Sequence, residues 1–171
     1  MSRPFPTLLL RYVVVIGLAF WMGGFTFYAG VVIHVGHRVF GTMRETGFLT
    51  QQVTLWLNRS GAIVLGILLL NLFLTRRQNA PRWWFTAAAT LAVMIGIQIA
   101  LLQLHPRLDA FLDASTQTIH ERPNFHRQHL LYMNLSTTQW IAALIHLWSI
   151  LILWRKSDLQ PQPRYCGTTH R

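Results

Sequence analysis

The sequence is poor in acids, in cysteine and in charge altogether. Five Asp or Glu stand against fifteen Lys or Arg, and charged residues make up only 12% of the 171. That is about half the share usual for a soluble domain, so an ordinary water-soluble globule is excluded. The single cysteine, Cys166, rules out an intramolecular disulfide and says nothing about compartment. No paired carboxylates fall inside an apolar stretch, and neither a Gly-x-Ser-x-Gly elbow nor a P-loop occurs, so no catalytic signature points to an enzyme. The net charge of +10 is not gathered into one patch. Its cations flank apolar runs, where they anchor helix ends, and nucleic acid is not the expected partner.

What the chain does have is apolar length. Hydrophobic residues reach 52% and fall in runs over about 8–35, 56–74, 83–104 and 130–154. A bilayer core needs roughly 20 helical residues, with a range of about 17–25. The first run exceeds the usual signal-peptide core of about 7–15 residues and no Ala-x-Ala site follows it, so it reads as a retained span. The expectation is one all-α membrane domain over residues 1–155, four transmembrane helices in a compact antiparallel bundle. A polar, disordered tail over 156–171 follows it.

The connections carry their own signals. RRQNAPR between the second and third runs forces a helical hairpin, with Pro81 suited to a first helical turn. In PRLDAFLDA, Leu108, Phe111 and Leu112 stand at i, i+3, i+4, which predicts a short amphipathic interfacial helix within the 105–129 loop. Gly41 and Gly47 punctuate a 36–55 loop whose TQQVTLWLN is a polar lead-in to the second span. Nine Lys or Arg lie on the side of the two termini and the hairpin, six on the other. The positive-inside rule then puts both termini in the cytoplasm of a cell inner or plasma membrane. Partners are the bilayer itself and a membrane protein or second copy of the chain.

Small residues recur at helical spacing, every four positions in the third span. Ala88, Ala92, Gly96 and Ala100 form such a row in the third span, and Ala19, Gly23, Thr26 and Gly30 another in the first. Rows of this kind let helix backbones approach closely, and a helix-packing role is expected for them. A tight bundle of that sort leaves little room for a haem.

Histidine is the residue type that invites a functional reading. His34, His37, His105, His126 and His129 all fall on the presumed outer side, and neutral imidazoles suit copper, zinc or haem iron. Against them, no His-x-x-x-His or His-Glu-x-x-His spacing occurs. Outer-loop histidines are as often simple interface residues. The fourth span adds a polar seam of Ser136, Gln139 and His146, to which Gln98 of the third span is a candidate partner. Intramembrane polar residues face the bundle interior, either as a functional site or as hydrogen-bonding glue between helices. Arg11 is close enough to its span's end to snorkel to the interface.

FWMGGFTFYAGVVIHVGHRVFG, HPRLDAFLD and Phe125-x-x-x-His129 before a polar last span resemble a family of small four-span membrane proteins. That family carries a domain of unknown function and includes relatives of transmembrane protein two-hundred-and-five. The resemblance implies functional positions at Gly23, Gly24, Phe27, Phe125 and His129, and departs from the family at His34, where Pro is usual. A more local similarity, WMGGFTFY, is to copper-resistance D type membrane proteins. The expected function is a non-enzymatic membrane component handling a small solute or metal at the outer face. The alternative is a haem-binding electron-transfer or quinone-reactive subunit.

Overall fold

A computed structural model describes residues 5–40, 43–75, 81–113, 118–119 and 122–159. Four long apolar helices make up nearly all of it, and their length and composition make this a multi-pass integral membrane protein. The first helix, Phe5–Phe40, is α-helical to Phe27, passes through one π-helical turn at Tyr28–Val32, and resumes at Ile33. The second is Met43–Thr75, the third Pro81–Asp109 and the fourth Arg122–Asp158. Pro81 and Pro123 lie in first turns, where the missing N–H has no helical partner to lose. Pro106 lies near the end of the third helix, and its carbonyl still accepts from Ala110 N at 3.1 Å.

Each helix buries a row spaced four and three residues apart, with one position skipped in the first helix, where Phe25 is half-buried. The rows run Val14, Leu18, Trp21 and Tyr28 in the first helix and Asn58, Gly61, Leu65, Leu68 and Leu72 in the second. In the third they run Ala87, Leu91, Met94, Gln98, Leu101 and His105, and in the fourth Tyr132, Ser136, Gln139, Ala143, His146 and Ile150. A mean spacing of about 3.5 residues keeps one seam turned toward a neighbouring helix. The third and fourth helices pack most extensively, the second packs on the third, and the first packs on the second. The first and fourth meet at few positions.

Arg11 makes the polar closure of that last seam. Its Nη1 lies 3.1 Å from both carboxylate oxygens of Asp158, and its guanidinium sits 5.1 Å from the Trp154 ring centroid. The Arg11 side chain is 14% exposed and reaches Asp158, 46% exposed at the end of the fourth helix, which supplies its counter-charge. At the same end, Trp84 Nε1 donates to the Leu72 carbonyl at 3.3 Å and pins the second helix to the third.

Several expectations are corrected. The helices outrun the apolar runs at both ends, and the polar lead-in before Trp56 is itself helical from Met43. No separate interfacial helix forms among the described residues of 105–129. Residues up to Asp109 finish the third helix, with Leu108 buried beside Leu104 and Tyr132, while Leu112–Asp113 pairs antiparallel with Thr118–Ile119. The apolar spacing read as a surface helix is thus partly spent in the core. The tail beyond 159 lies outside the described residues.

The small-residue rows also face elsewhere. Gly23, Gly30, Ala92 and Gly96 are exposed and Ala88 and Ala100 half-buried, and a Cβ at Gly23, Gly30 or Gly96 would meet nothing within 4 Å. In the third helix the cause is geometric: at 100° per residue a four-residue step drifts about 40°, so Ala88 packs against the core while Ala92 and Gly96 of the same row turn away from it.

Candidate functional site

Polar layers crowd the half of the bundle away from the termini. Gln98 Nε2 donates to the Asn58 carbonyl at 2.9 Å, and Gln139 Nε2 donates both to Gln98 Oε1 at 2.9 Å and to the Met94 carbonyl at 3.1 Å. Backbone carbonyls only accept, so these contacts fix the orientation of both glutamines. Asn58 Nδ2 donates to the Tyr132 hydroxyl at 3.0 Å, which carries the network across to the fourth helix again. Three helices are thereby joined through side chains that are all buried. In a bilayer such interhelical bonds contribute about 0.6–1.7 kcal/mol each.

The first helix lays Trp21 over this layer. A Cβ on Gly61 would stand 2.7 Å from Trp21 Nε1 and 3.1 Å from Gln98 Oε1, so only glycine admits the indole there.

Beside the network lies a cavity of about 20 Å³. Its polar wall is Thr54, Asn58, Tyr132, Ser136 and Gln139; its remaining wall includes Trp21, Phe25 and Trp140, whose Nε1 is buried without a partner. It therefore sits between the first, second and fourth helices, at a level where the first and fourth make few contacts. Ser136 is distinctive. Other hydroxyls turn back to their own helix: Thr137 to Met133 O and Thr138 to Asn134 O at 2.9 Å, Ser149 to Ile145 O at 2.8 Å. Ser136, 5% exposed, makes no such bond among the described residues and lines the cavity. Gln139 Oε1 is likewise unbonded among the described residues. Among the described residues, no Asp, Glu, Lys, Arg or His lines the space.

His146 is separate from this centre. Its ring is completely buried, with Nδ1 3.0 Å from the Ala87 carbonyl and 3.1 Å from Thr90 Oγ1. A carbonyl only accepts, so Nδ1 carries the proton and Nε2, buried without a partner, is the lone-pair nitrogen. Thus Ala87 and Thr90 of the third helix are the partners of the one histidine inside the fourth span.

The remaining histidines do not assemble. His34, His37, His126 and His129 are exposed, and His105 is buried with Nδ1 3.1 Å from Asp109 Oδ1. Among the described residues no three His, Cys, Asp or Glu side chains gather that could hold a metal ion. The expected set of His34, His37, His105, His126 and His129 is therefore not one site among the described residues: its members are divided among the first, third and fourth helices and no three of them gather. Nor do the two buried imidazoles fit one haem. His146 faces Thr90, and His105 lies about 22 Å further along the third helix at 1.5 Å per residue.

The structure thus brings together Gln98, Gln139 and Ser136, as expected, and adds Asn58 and Tyr132. Both stand in the four-and-three spacing of their helices, the signal by which they are legible. Of the positions implied by resemblance, Gly23 and Phe27 are exposed, and a Cβ on Gly24 would meet Leu57 at 3.2 Å. Phe125 stacks on His129 with ring centroids 5.9 Å apart and also meets Phe111 edge-on. Comparison with family models, characterised proteins and solved structures finds no match.

Proposed function

We propose that this is a non-enzymatic membrane protein that binds a small neutral solute at the polar centre around Gln139. The observation that carries the reading is the cavity of about 20 Å³, whose wall forms hydrogen bonds but bears no charge. Binding sites combine apolar walls with a few convergent polar groups, and this one does so between helices. An uncharged wall disfavours ions and metals, which require counter-charges or coordinating ligands once desolvated. The cationic flanks of the apolar runs support cytoplasmic termini, which would place the centre in the outer half of an inner or plasma membrane.

The binding test is native mass spectrometry of protein released from nanodiscs made with its own membrane. A neutral adduct is expected on the wild type and is lost in Gln139→Leu. Bare protein in both samples would overturn the reading. For orientation, a fluorescent protein fused after residue 171 should be fluorescent, and alkaline phosphatase at the same place should be inactive.

A further inference from the structure

The geometry points to one class of ligand: a membrane-dissolved aliphatic alcohol, entering sideways between the first and fourth helices and seating its hydroxyl in a space the size of one water. This rests on the reading of the polar centre as a solute site.

Size sets the first limit. A cavity of about 20 Å³ has room for one water, and therefore for one oxygen of a larger molecule. Unused hydrogen-bonding capacity sets the second. Gln139 Oε1 is an acceptor and needs a donor, while the Ser136 hydroxyl, unbonded to its own helix, can donate. A hydroxyl donates and accepts at once and so satisfies both, as a water would. A ketone or ether oxygen only accepts and leaves Gln139 Oε1 without a donor. An ammonium or carboxylate would arrive with no counter-charge on the wall.

The route follows from the packing. Met22 and Phe25 of the first helix and Trp140 of the fourth flank the polar wall, a surface suited to an alkyl chain. Those two helices touch at few positions, and Arg11 ties them with Asp158 at the opposite end of the first helix from the cavity. The π-helical turn at Tyr28–Val32 begins three residues beyond Phe25. Turns of this type interrupt the regular hydrogen-bond ladder and recur at functional sites. The opening is thus lateral and faces the hydrocarbon.

The test is photolabelling of the full-length chain in phosphatidylcholine nanodiscs with 3-azioctanol, run beside a diazirine-bearing alkane that lacks the hydroxyl. Labelled positions are mapped by peptide mass spectrometry. The alcohol is expected to concentrate on Met22, Phe25 and Trp140, and to label them several-fold less in Gln139→Leu and in Ser136→Ala. The alkane should ignore both substitutions. Ser136→Ala removes one hydroxyl and no packing volume of consequence, so it guards against a Gln139→Leu chain that fails to fold. Equal labelling by the two probes, or alcohol labelling unchanged in Ser136→Ala, would overturn the assignment. A native adduct that persists alongside either of those results refutes the alcohol class and leaves the solute site standing.

Discussion

Gln139 Nε2 donates to Gln98 Oε1 at 2.9 Å across the seam between the fourth and third helices. Each amide is held at its other end by a backbone carbonyl, Met94 for Gln139 and Asn58 for Gln98. The pair is the middle of a network that runs from one helix to the next and on to Tyr132.

Coupling between these two glutamines follows directly. Gln139→Leu leaves Gln98 Oε1 buried without a donor and should destabilise the bundle by about 1–2 kcal/mol. Gln98→Leu should do likewise. The double substitution should cost less than the sum, with a coupling of about 0.6–1.7 kcal/mol, the range for interhelical bonds in membranes. Unfolding equilibria of the four proteins in bicelles measure the cycle, and strict additivity would show the bond to contribute nothing.

How much of this was open to reading depends on what each feature requires. Four spans follow from apolar length alone, and Ser136, Gln139 and His146 follow from polar residues in one helical register. Asn58 and Tyr132 stand in that same register but look like interface residues when judged by distance from the run's end. The Ala88-to-Ala100 row misled for the converse reason: four-residue spacing resembles a face over one step and leaves it over three. Arg11 and Asp158 are joined only by the closing of the bundle, 147 positions apart, and no local pattern announces such a pair. The cavity is less legible still, because it exists only where the first helix fails to close on the fourth.

Of the described glycines, Gly61 is the one where an added Cβ would meet the first helix most closely. In Gly61→Ala the new methyl would lie 2.7 Å from Trp21 Nε1 and 2.9 Å from Trp21 Cε2. An indole is rigid and its neighbours Gln98 and Leu65 are packed, so the first helix must shift. A loss of about 1–3 kcal/mol is expected, the usual result of overpacking, and Trp21 fluorescence should change in the folded protein. Gly96→Ala, where a Cβ meets nothing within 4 Å, is the control and should be neutral or slightly stabilising.

The Arg11–Asp158 pair is exposed enough on one side for water to weaken it, with side chains 14% and 46% exposed. Asp158→Asn should therefore cost no more than about 1 kcal/mol and less at high salt. Arg11→Lys keeps the charge but gives up the planar group over Trp154. It should lose about 0.5–1 kcal/mol that salt does not restore. Crosslinking between cysteines placed at Arg11 and Asp158 reports whether the seam stays closed.

His146 separates a packing role from a functional one. Its Nδ1–H bonds to the Ala87 carbonyl, which also receives Thr90 Oγ1 at 3.1 Å, so that oxygen keeps a partner if the imidazole is removed. Its Nε2 has none to lose. His146→Leu, similar in volume and without an orphaned nitrogen, should thus change stability by less than about 1 kcal/mol. His146→Ala opens space in a fully buried layer beside Ile150 and should cost about 2 kcal/mol or more. Thermal unfolding of the two variants in the same detergent orders them. A leucine variant as unstable as the alanine one would mean that the imidazole holds the third and fourth helices by its hydrogen bond, not by its bulk.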